Sequence, residues 1–365
     1  MTHYGRNIRL SVYGGSHDSE IGAVMTGVPA GIHVDMEKLY SFMKRRMPGQ
    51  NEFTTQRKEP DIPLFLSGID ENSCTNGRDI HIVIKNTSQR SSDYDSLKHI
   101  PRPSHADYPA MVKYGLDCDL SGGGHFSGRL TAALCAAGGI FIGELERRGI
   151  SIGAHIYSIG KIYDMKFDPL KVSFDDMSAV AAKSFPVIDD RCGNLMAEEI
   201  EKAKKEEDSI GGVIECAVTG IPAGTGEHMF EGLESRIASM VFSIPAVKGI
   251  EFGAGFEGTR SYGSENNDEY RTDGSKVFVT TNNSGGICGG MATGAPVLFK
   301  VAFKPTPSIG KEQKTVNMST MENVTIRISG RHDPCIVPRA VPVVEAAAAI
   351  AVFDSILDNS DNLEK

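Results

Sequence analysis

The stretch IGAVMTGVPAGIHVDMEKLYSFMKRRM, Ile21 to Met47, has a counterpart in the second half of the chain, IGGVIECAVTGIPAGTGEHMFEGLESRIASM, Ile210 to Met240. Each opens on β-branched residues, passes through TG(V/I)PAG (Thr26 to Gly31, Thr219 to Gly224) and enters an amphipathic helical pattern. A six-residue match at the same point of two strand–turn–helix units indicates an internal duplication, with halves of roughly 1–160 and 205–357. Each unit has a helix whose apolar face must cover its strands, and no linker separates the two. The sequence therefore predicts one large α+β domain over residues 1–365.

Outward from the repeats, an Ala- and Leu-rich helix is expected from Ser127 or Gly128 to about Arg148, a charged amphipathic one over Asn194 to Glu207, and an apolar one over Val343 to Leu357. DIHIVIKN, KVFVTTN and VLFKVAFK read as strands. The polar, Pro-bearing stretch SQRSSDYDSLKHIPRPSHADYPAM reads as a long loop with a task.

The chain has 365 residues and a net charge of −9, which argues against a general nucleic-acid binder. An anionic substrate would need a local cluster of cations. Seven scattered cysteines with no CxxC pair suggest neither a disulfide framework nor a zinc site and fit a reducing cytoplasm. No signal-peptide pattern opens the chain and no uninterrupted apolar run has the length of a membrane span, so no membrane partner is expected.

SGGGHFSGRLTAALCAAGG, Ser121 to Gly139, sets a Gly-rich turn before a helix, where an anion could meet unpaired N–H groups beside Arg129. Helix capping by Ser127 explains the same residues equally well. Arg129-Leu130 stands where a Walker loop needs Lys-Ser/Thr, and Ser127 where the dinucleotide fingerprint needs its third Gly. KRRMPGQ places Lys44, Arg45 and Arg46 at a helix C-terminus, a position that suits phosphate binding and also plain complementation of the helix dipole. His17 in GGSHD and His105 in RPSHADYP sit in constrained turns suited to proton transfer, and neither has metal-ligand spacing. GRHDPC adds Arg331 and Asp333, and KPTPS, Lys304 to Ser308, supplies an ammonium and two hydroxyls. Together these residues suggest proton transfer and charge stabilisation on a multiply anionic small molecule, with no metal and no nucleophile triad.

The same segments, in the same order, resemble the chorismate synthase family. GRHDPCIVPRAVPVVEA and RPSHADYP…KYG carry the resemblance, supported by GGSH, RRMPGQN…TTQR, NTSQRSSDY, DSIGGVIE, VKGIEFGAGF, GGICGGMATG and VAFKPTPSI, over about residues 5–357. The resemblance implies a β–α–β sandwich with helices enclosed between antiparallel sheets, assembled as a homotetramer. It implies an anti-1,4 elimination of phosphate and a proton from 5-enolpyruvylshikimate 3-phosphate, giving chorismate and requiring reduced FMN. Position by position, His17 would protonate the departing phosphate, His105 the reduced flavin, and Asp333 would serve in the deprotonation. Arg45, Arg46, Arg102, Arg129 and Arg331 would hold the substrate. His125, Phe126, Ser127, Ala246, Gly289, Lys304, Pro305, Thr306, Pro307, Ser308 and again Arg331 would contact FMN. Two sources of reduced flavin stay open, reduction by this enzyme with NADPH or NADPH as an indirect reductant through an external flavin reductase, and the lack of a recognisable reductase domain leans toward the second.

This chain departs from the usual family pattern at several points. GGSHD replaces GESHG, so Gly15 removes an acid before His17 and Asp18 puts one after it. His125 and Phe126 replace Arg and Ser in the Gly-rich loop, Glu52 replaces a base and Pro245 an Asn. The expectation at 125–126 is that the two rings stack on or edge the flavin. Two alternatives stay open on the residues alone: a phosphotransferase on the same scaffold, and an inactive homologue that binds flavin or shikimate phosphate.

Overall fold

The computed structural model describes residues 2–47, 49, 59–87, 98–328 and 333–358. In chain order the first half supplies β1 (Arg9–Gly14), β2 (Glu20–Thr26), α1 (Met36–Arg46), β3 (Leu64–Ser67), β4 (Ile80–Lys85), α2 (Asp107–Tyr114) and α3 (Thr131–Arg147). There follow β5 (Ser151–Ile159), β6 (Ile162–Tyr163), α4 (Phe174–Ala181), α5 (Asp190–Lys205), β7 (Gly212–Thr219), α6 (Leu233–Phe242) and β8 (Val247–Phe252). After α7 (Gly263–Asn266) come the short hairpins β9 (Tyr270–Thr272) with β10 (Val277–Val279) and β11 (Ile287–Cys288) with β12 (Met291–Ala292). The chain closes with β13 (Val297–Phe303), β14 (Gln313–Asn317), β15 (Glu322–Ile326) and α8 (Val337–Leu357).

Among the described residues two larger antiparallel sheets form, in the orders β1-β2-β4-β3 and β6-β5-β7-β13-β8, beside the two-stranded pairs β9-β10, β11-β12 and β14-β15. Alternation decides which faces are covered. Ile21, Ala23 and Met25 of β2 and Ile80, Ile82 and Ile84 of β4 are fully buried while their neighbours point outward. Helix α3 packs on β2 and β4, α8 packs on β5 and β7, and the two helices pack on each other. Phe141 and Phe353 stack at 4.7 Å between them. At Gly138 a Cβ would lie 2.5 Å from that of Ala346, so the bare backbone lets the helices close. The architecture is thus an α+β fold, a β–α–β sandwich with its helices enclosed between antiparallel sheets.

The repeat is visible in backbone angles. Gly27 and Gly31 after β2 have φ of 78° and 89°, and Gly220 and Gly224 after β7 have 82° and 88°. Both strands are interior to their sheets.

Several boundaries differ from the sequence reading. α8 begins at Val337 rather than Val343, because Pro338 falls in the first turn, where a missing N–H costs nothing; Pro342 lies within the helix. α5 begins at Asp190, where Asp189 accepts from the Arg191 N–H. The polar stretch before Met111 turns helical from Asp107, and KVFVTTN contributes only three strand residues. Helix α8, and Gly128–Arg147, are long and apolar enough to cross a membrane, yet both are mostly buried inside this chain. In α8 the interrupting Glu345 and Asp354 are buried and paired.

Candidate active site

A cavity of about 830 Å³ opens where the β1–β2 turn, residues 102–109, the Gly-rich turn, the β8 entry, the end of β13 and the start of α8 meet. Its volume lies in the upper part of the range of about 300–1,000 Å³ that small-molecule sites occupy.

Its floor is an arginine pair held by one acid. Arg46, from the last turn of α1, donates to Asp61 at 2.6 Å, to Thr131 Oγ1 at 3.1 Å and to the Gly128 carbonyl at 2.9 Å. Arg129 donates to the other oxygen of Asp61 and, through Nε, to Asn86 Oδ1 at 2.7 Å. Burial alone would raise the Asp61 carboxyl, but Arg46 and Arg129 outweigh it and hold the group below the ordinary carboxylate range. Asn86 continues the network: its Nδ2 donates to the carbonyls of Asp18 at 2.7 Å and Gly15 at 3.3 Å, tying Arg129 to the turn that carries His17. The Asp18 carboxylate lies 3.2–3.3 Å from where a Cβ on Gly15 would stand, so the acid lost at position 15 returns to nearly the same place from position 18.

The two histidines meet across the Gly-rich turn. Gly122, Gly123 and Gly124 all have positive φ, at 59°, 96° and 52°, a run that side-chain-bearing residues would resist. Ser16 N–H donates to the Gly124 carbonyl at 3.1 Å, and His17 Nδ1–H donates to the Ser121 carbonyl at 3.1 Å. A Cβ on Gly122 would sit 2.2 Å from His17 Cε1; one on Gly123 would sit 3.3 Å from His105 Nε2. Gly122→Ala should therefore push His17 out of place and move its imidazole NMR resonances, while the αL strain costs the fold only about 1–2 kcal/mol. Unmoved His17 resonances in a folded Gly122→Ala protein would show that the turn yields and the ring stays in place.

On the opposite wall, Asp333 accepts from Arg339 Nη1 at 2.6 Å, and the Asp333 carbonyl accepts from Thr306 Oγ1 at 2.9 Å. Lys304 donates to the Ser104 carbonyl, and burial together with nearby Lys248 pushes its ammonium below the ordinary lysine value. Ala246 takes φ of 72° beside it, with its carbonyl accepting from Lys304 N–H at 3.0 Å. Thr306, Pro307 and Ser308 line the same wall, and His125, Phe126 and Ser127 line the facing one. Ser127 also caps, accepting from the Arg129 N–H at 3.2 Å, so the capping role and the site role coexist.

Three of the expected site residues stand elsewhere. Arg45 pairs through both Nη atoms with buried Glu345, at 2.6 and 2.9 Å, and Gly289 and Pro305 do not line the cavity. The reason for Arg45 is helical phase: Arg46 shares the buried stripe of Leu39 and Met43, and its neighbour is rotated off it. Arg331 and Glu52 lie outside the described residues. Conversely, Asp61, Asn86, Asp107 and Arg339 hold the site's cations or acids and were not anticipated.

The family model for chorismate synthase matches residues 8–357. A chorismate synthase of Lancefieldella parvula is 41% identical over 97% of this chain and 95% of its own length. Those of Korarchaeum cryptofilum and Pyrococcus abyssi are each 42% identical, covering 97% of both chains in each comparison. A solved structure described as a crystal structure of chorismate synthase superposes with a TM-score of 0.76 at 27% identity, over 97% of this chain and 93% of that one. With its sequence and its fold in agreement over nearly the whole length, the chain belongs to the chorismate synthase family.

Proposed function

We propose that the chain converts 5-enolpyruvylshikimate 3-phosphate to chorismate by anti-1,4 elimination, with reduced FMN bound in the same cavity. The observation that carries this reading is the gathering of His17, His105, Asp333 and the cations Arg46, Arg102, Arg129 and Lys304 around one space of about 830 Å³. Four cations around one cavity answer a substrate with two carboxylates and a phosphate in a chain whose net charge is −9.

The donor set fits a flavin mononucleotide. Lys304 and the hydroxyls of Thr306 and Ser308 suit its phosphate, and the His125 and Phe126 rings, edge to face at 6.3 Å, offer an aromatic border. His125 is held by donation from Nδ1 to the Gly14 carbonyl at 2.9 Å. Reduced FMN, when bound there, would supply transient electron density to the allylic system, with no net redox change. The chain's residues do the rest. Arg46 and Arg129 orient the anion and stabilise the charge that gathers on it as the C–O bond breaks. His17, with Nδ1–H committed to Ser121, delivers its proton to the departing phosphate through Nε2. His105 holds a proton at Nε2 on the cavity side, and Asp333, oriented by Arg339, takes part in removing the ring proton. In the cell the reading includes a homotetramer in the cytoplasm, with flavin reduced by an external NADPH-dependent reductase. Exposed Phe230, Phe256 and Tyr262 are surfaces that such an assembly could cover.

The test is an anaerobic assay with chemically reduced FMN, following chorismate and phosphate together. Equimolar release that needs reduced flavin is expected, and His17→Ala should lower kcat about a hundred-fold or more while flavin still binds. Binding of flavin and substrate without product would instead favour an inactive homologue.

A further inference from the structure

The structure assigns to Asp107 a positioning role: it fixes the tautomer of His105 and seats Arg102 beside it, so that Nε2 is the nitrogen through which His105 exchanges protons with the cavity. The inference deepens the proposed reaction and rests on it for its catalytic meaning, though not for its geometry.

Asp107 is buried at the first turn of α2, where the helix N-terminus favours a carboxylate. Its Oδ1 accepts from His105 Nδ1–H at 2.5 Å and from Arg102 Nη2 at 2.8 Å. Its Oδ2 accepts from Arg102 Nε at 2.7 Å and from the Arg102 backbone N–H at 3.0 Å. Burial would raise this carboxyl, but the hydrogen bonds from Arg102 and His105 win and hold it far below the ordinary range. It therefore stays an acceptor, and at 2.5 Å it lies closer to Nδ1 than the Arg102 Nη2 donor at 3.3 Å, so it places that nitrogen's proton. The lone pair of neutral His105 then falls on Nε2, and so does the exchangeable proton of the charged form. Gly123 keeps room there, since a Cβ would lie 3.3 Å from Nε2. Arg102 and His105 share the turn RPSHADY, where His105 N–H donates to the Arg102 carbonyl at 3.2 Å and Arg102 Nη2 stands 3.3 Å from His105 Nδ1, and one acid serves both.

Two measurements decide the matter. In the flavin-free wild-type protein, histidine ¹⁵N shifts should show His105 protonated at Nδ1 when neutral, with a far-downfield Nδ1 proton. Protonation at Nε2 there would overturn the assignment without any variant. In Asp107→Asn the His105 tautomer should shift toward Nε2–H, while the His17 signals stay in place. Anaerobic turnover should fall about a hundred-fold or more, with a smaller change in KM, as for loss of a general acid–base group. Unmoved His105 shifts in a folded Asp107→Asn protein would also overturn it. If the tautomer moves as expected but the wild-type enzyme yields no chorismate, the reaction reading has failed and the positioning stands.

Discussion

Asp61→Ala should destabilise the protein by about 3–5 kcal/mol, because it strands two buried guanidiniums around the place of one carboxylate. Arg46, Asp61 and Arg129 are each at most 6% exposed, so solvent cannot replace the lost partner. The Asp61 backbone itself sits at φ of 43°, a region that Asp tolerates better than most residues. The effect carries a pH signature. The folded-state pKa of Asp61 lies below its unfolded value of about 3.9, so its contribution is complete above that value and is lost as pH falls toward the folded one. Wild type should thus lose stability in acid partly through this group, and Asp61→Ala should show a shallower acid limb in urea titrations. Asp61→Asn separates geometry from charge, since the amide keeps an acceptor without the countercharge. A loss below about 1 kcal/mol in Asp61→Ala would mean that Thr131, the Gly128 carbonyl and Asn86 hold the arginines unaided.

What the sequence reveals of this site follows from how local each signal is. The α+β class is legible because the TG(V/I)PAG turns repeat with their strands and helices, and the matching φ values show the same turn built twice, whereas the sandwich is implied only by the family resemblance. His17, His105 and the Gly-rich run are legible because constrained turns are written in Gly and Pro. Asp61 is not: it stands in EPDIPLF, with partners 15 and 68 positions away and no periodicity linking them. Asn86 closes DIHIVIKN, where it passes for a strand terminus. Asp107 and Arg339 lie inside stretches already singled out, but the first looked like a loop residue and the second like part of a proline-stiffened loop. Both are helical, and their directions come from helices whose starts Pro and polar residues disguise. Arg46 is the instructive case, because Leu39, Met43 and Arg46 at spacings of four and three do mark the inward face, and that phase separates it from Arg45.

The second large effect lies across the other sheet. His155→Leu should cost about 3–5 kcal/mol with kcat nearly unchanged, since it removes the cation between two buried carboxylates, none of which lines the cavity. His155 on β5 donates to Asp164 at 3.1 Å and to Glu215 on β7 at 2.9 Å, and is fully buried. Asp164 in turn accepts from the Ile188 and Asp189 N–H groups at 2.5 and 2.9 Å, and Glu215 from Phe167 N–H at 2.7 Å. One imidazolium therefore fastens the 164–189 segment to the outer face of the sheet. Burial disfavours its charge, but Asp164 and Glu215 prevail and raise its pKa. A raised folded-state pKa means that the contribution is complete below the unfolded value of about 6.5 and disappears as pH rises through the folded one. Asp164 is held low against its burial, first by His155, so its share is complete above about 3.9 and fades as pH falls through its folded value. Wild type should consequently lose stability on the alkaline side, and His155→Leu should not. Amide exchange in residues 164–189 should quicken in the variant before the rest of the chain responds. Equal destabilisation of the variant at every pH would show that the cluster acts as neutral hydrogen bonds rather than as a charged clasp.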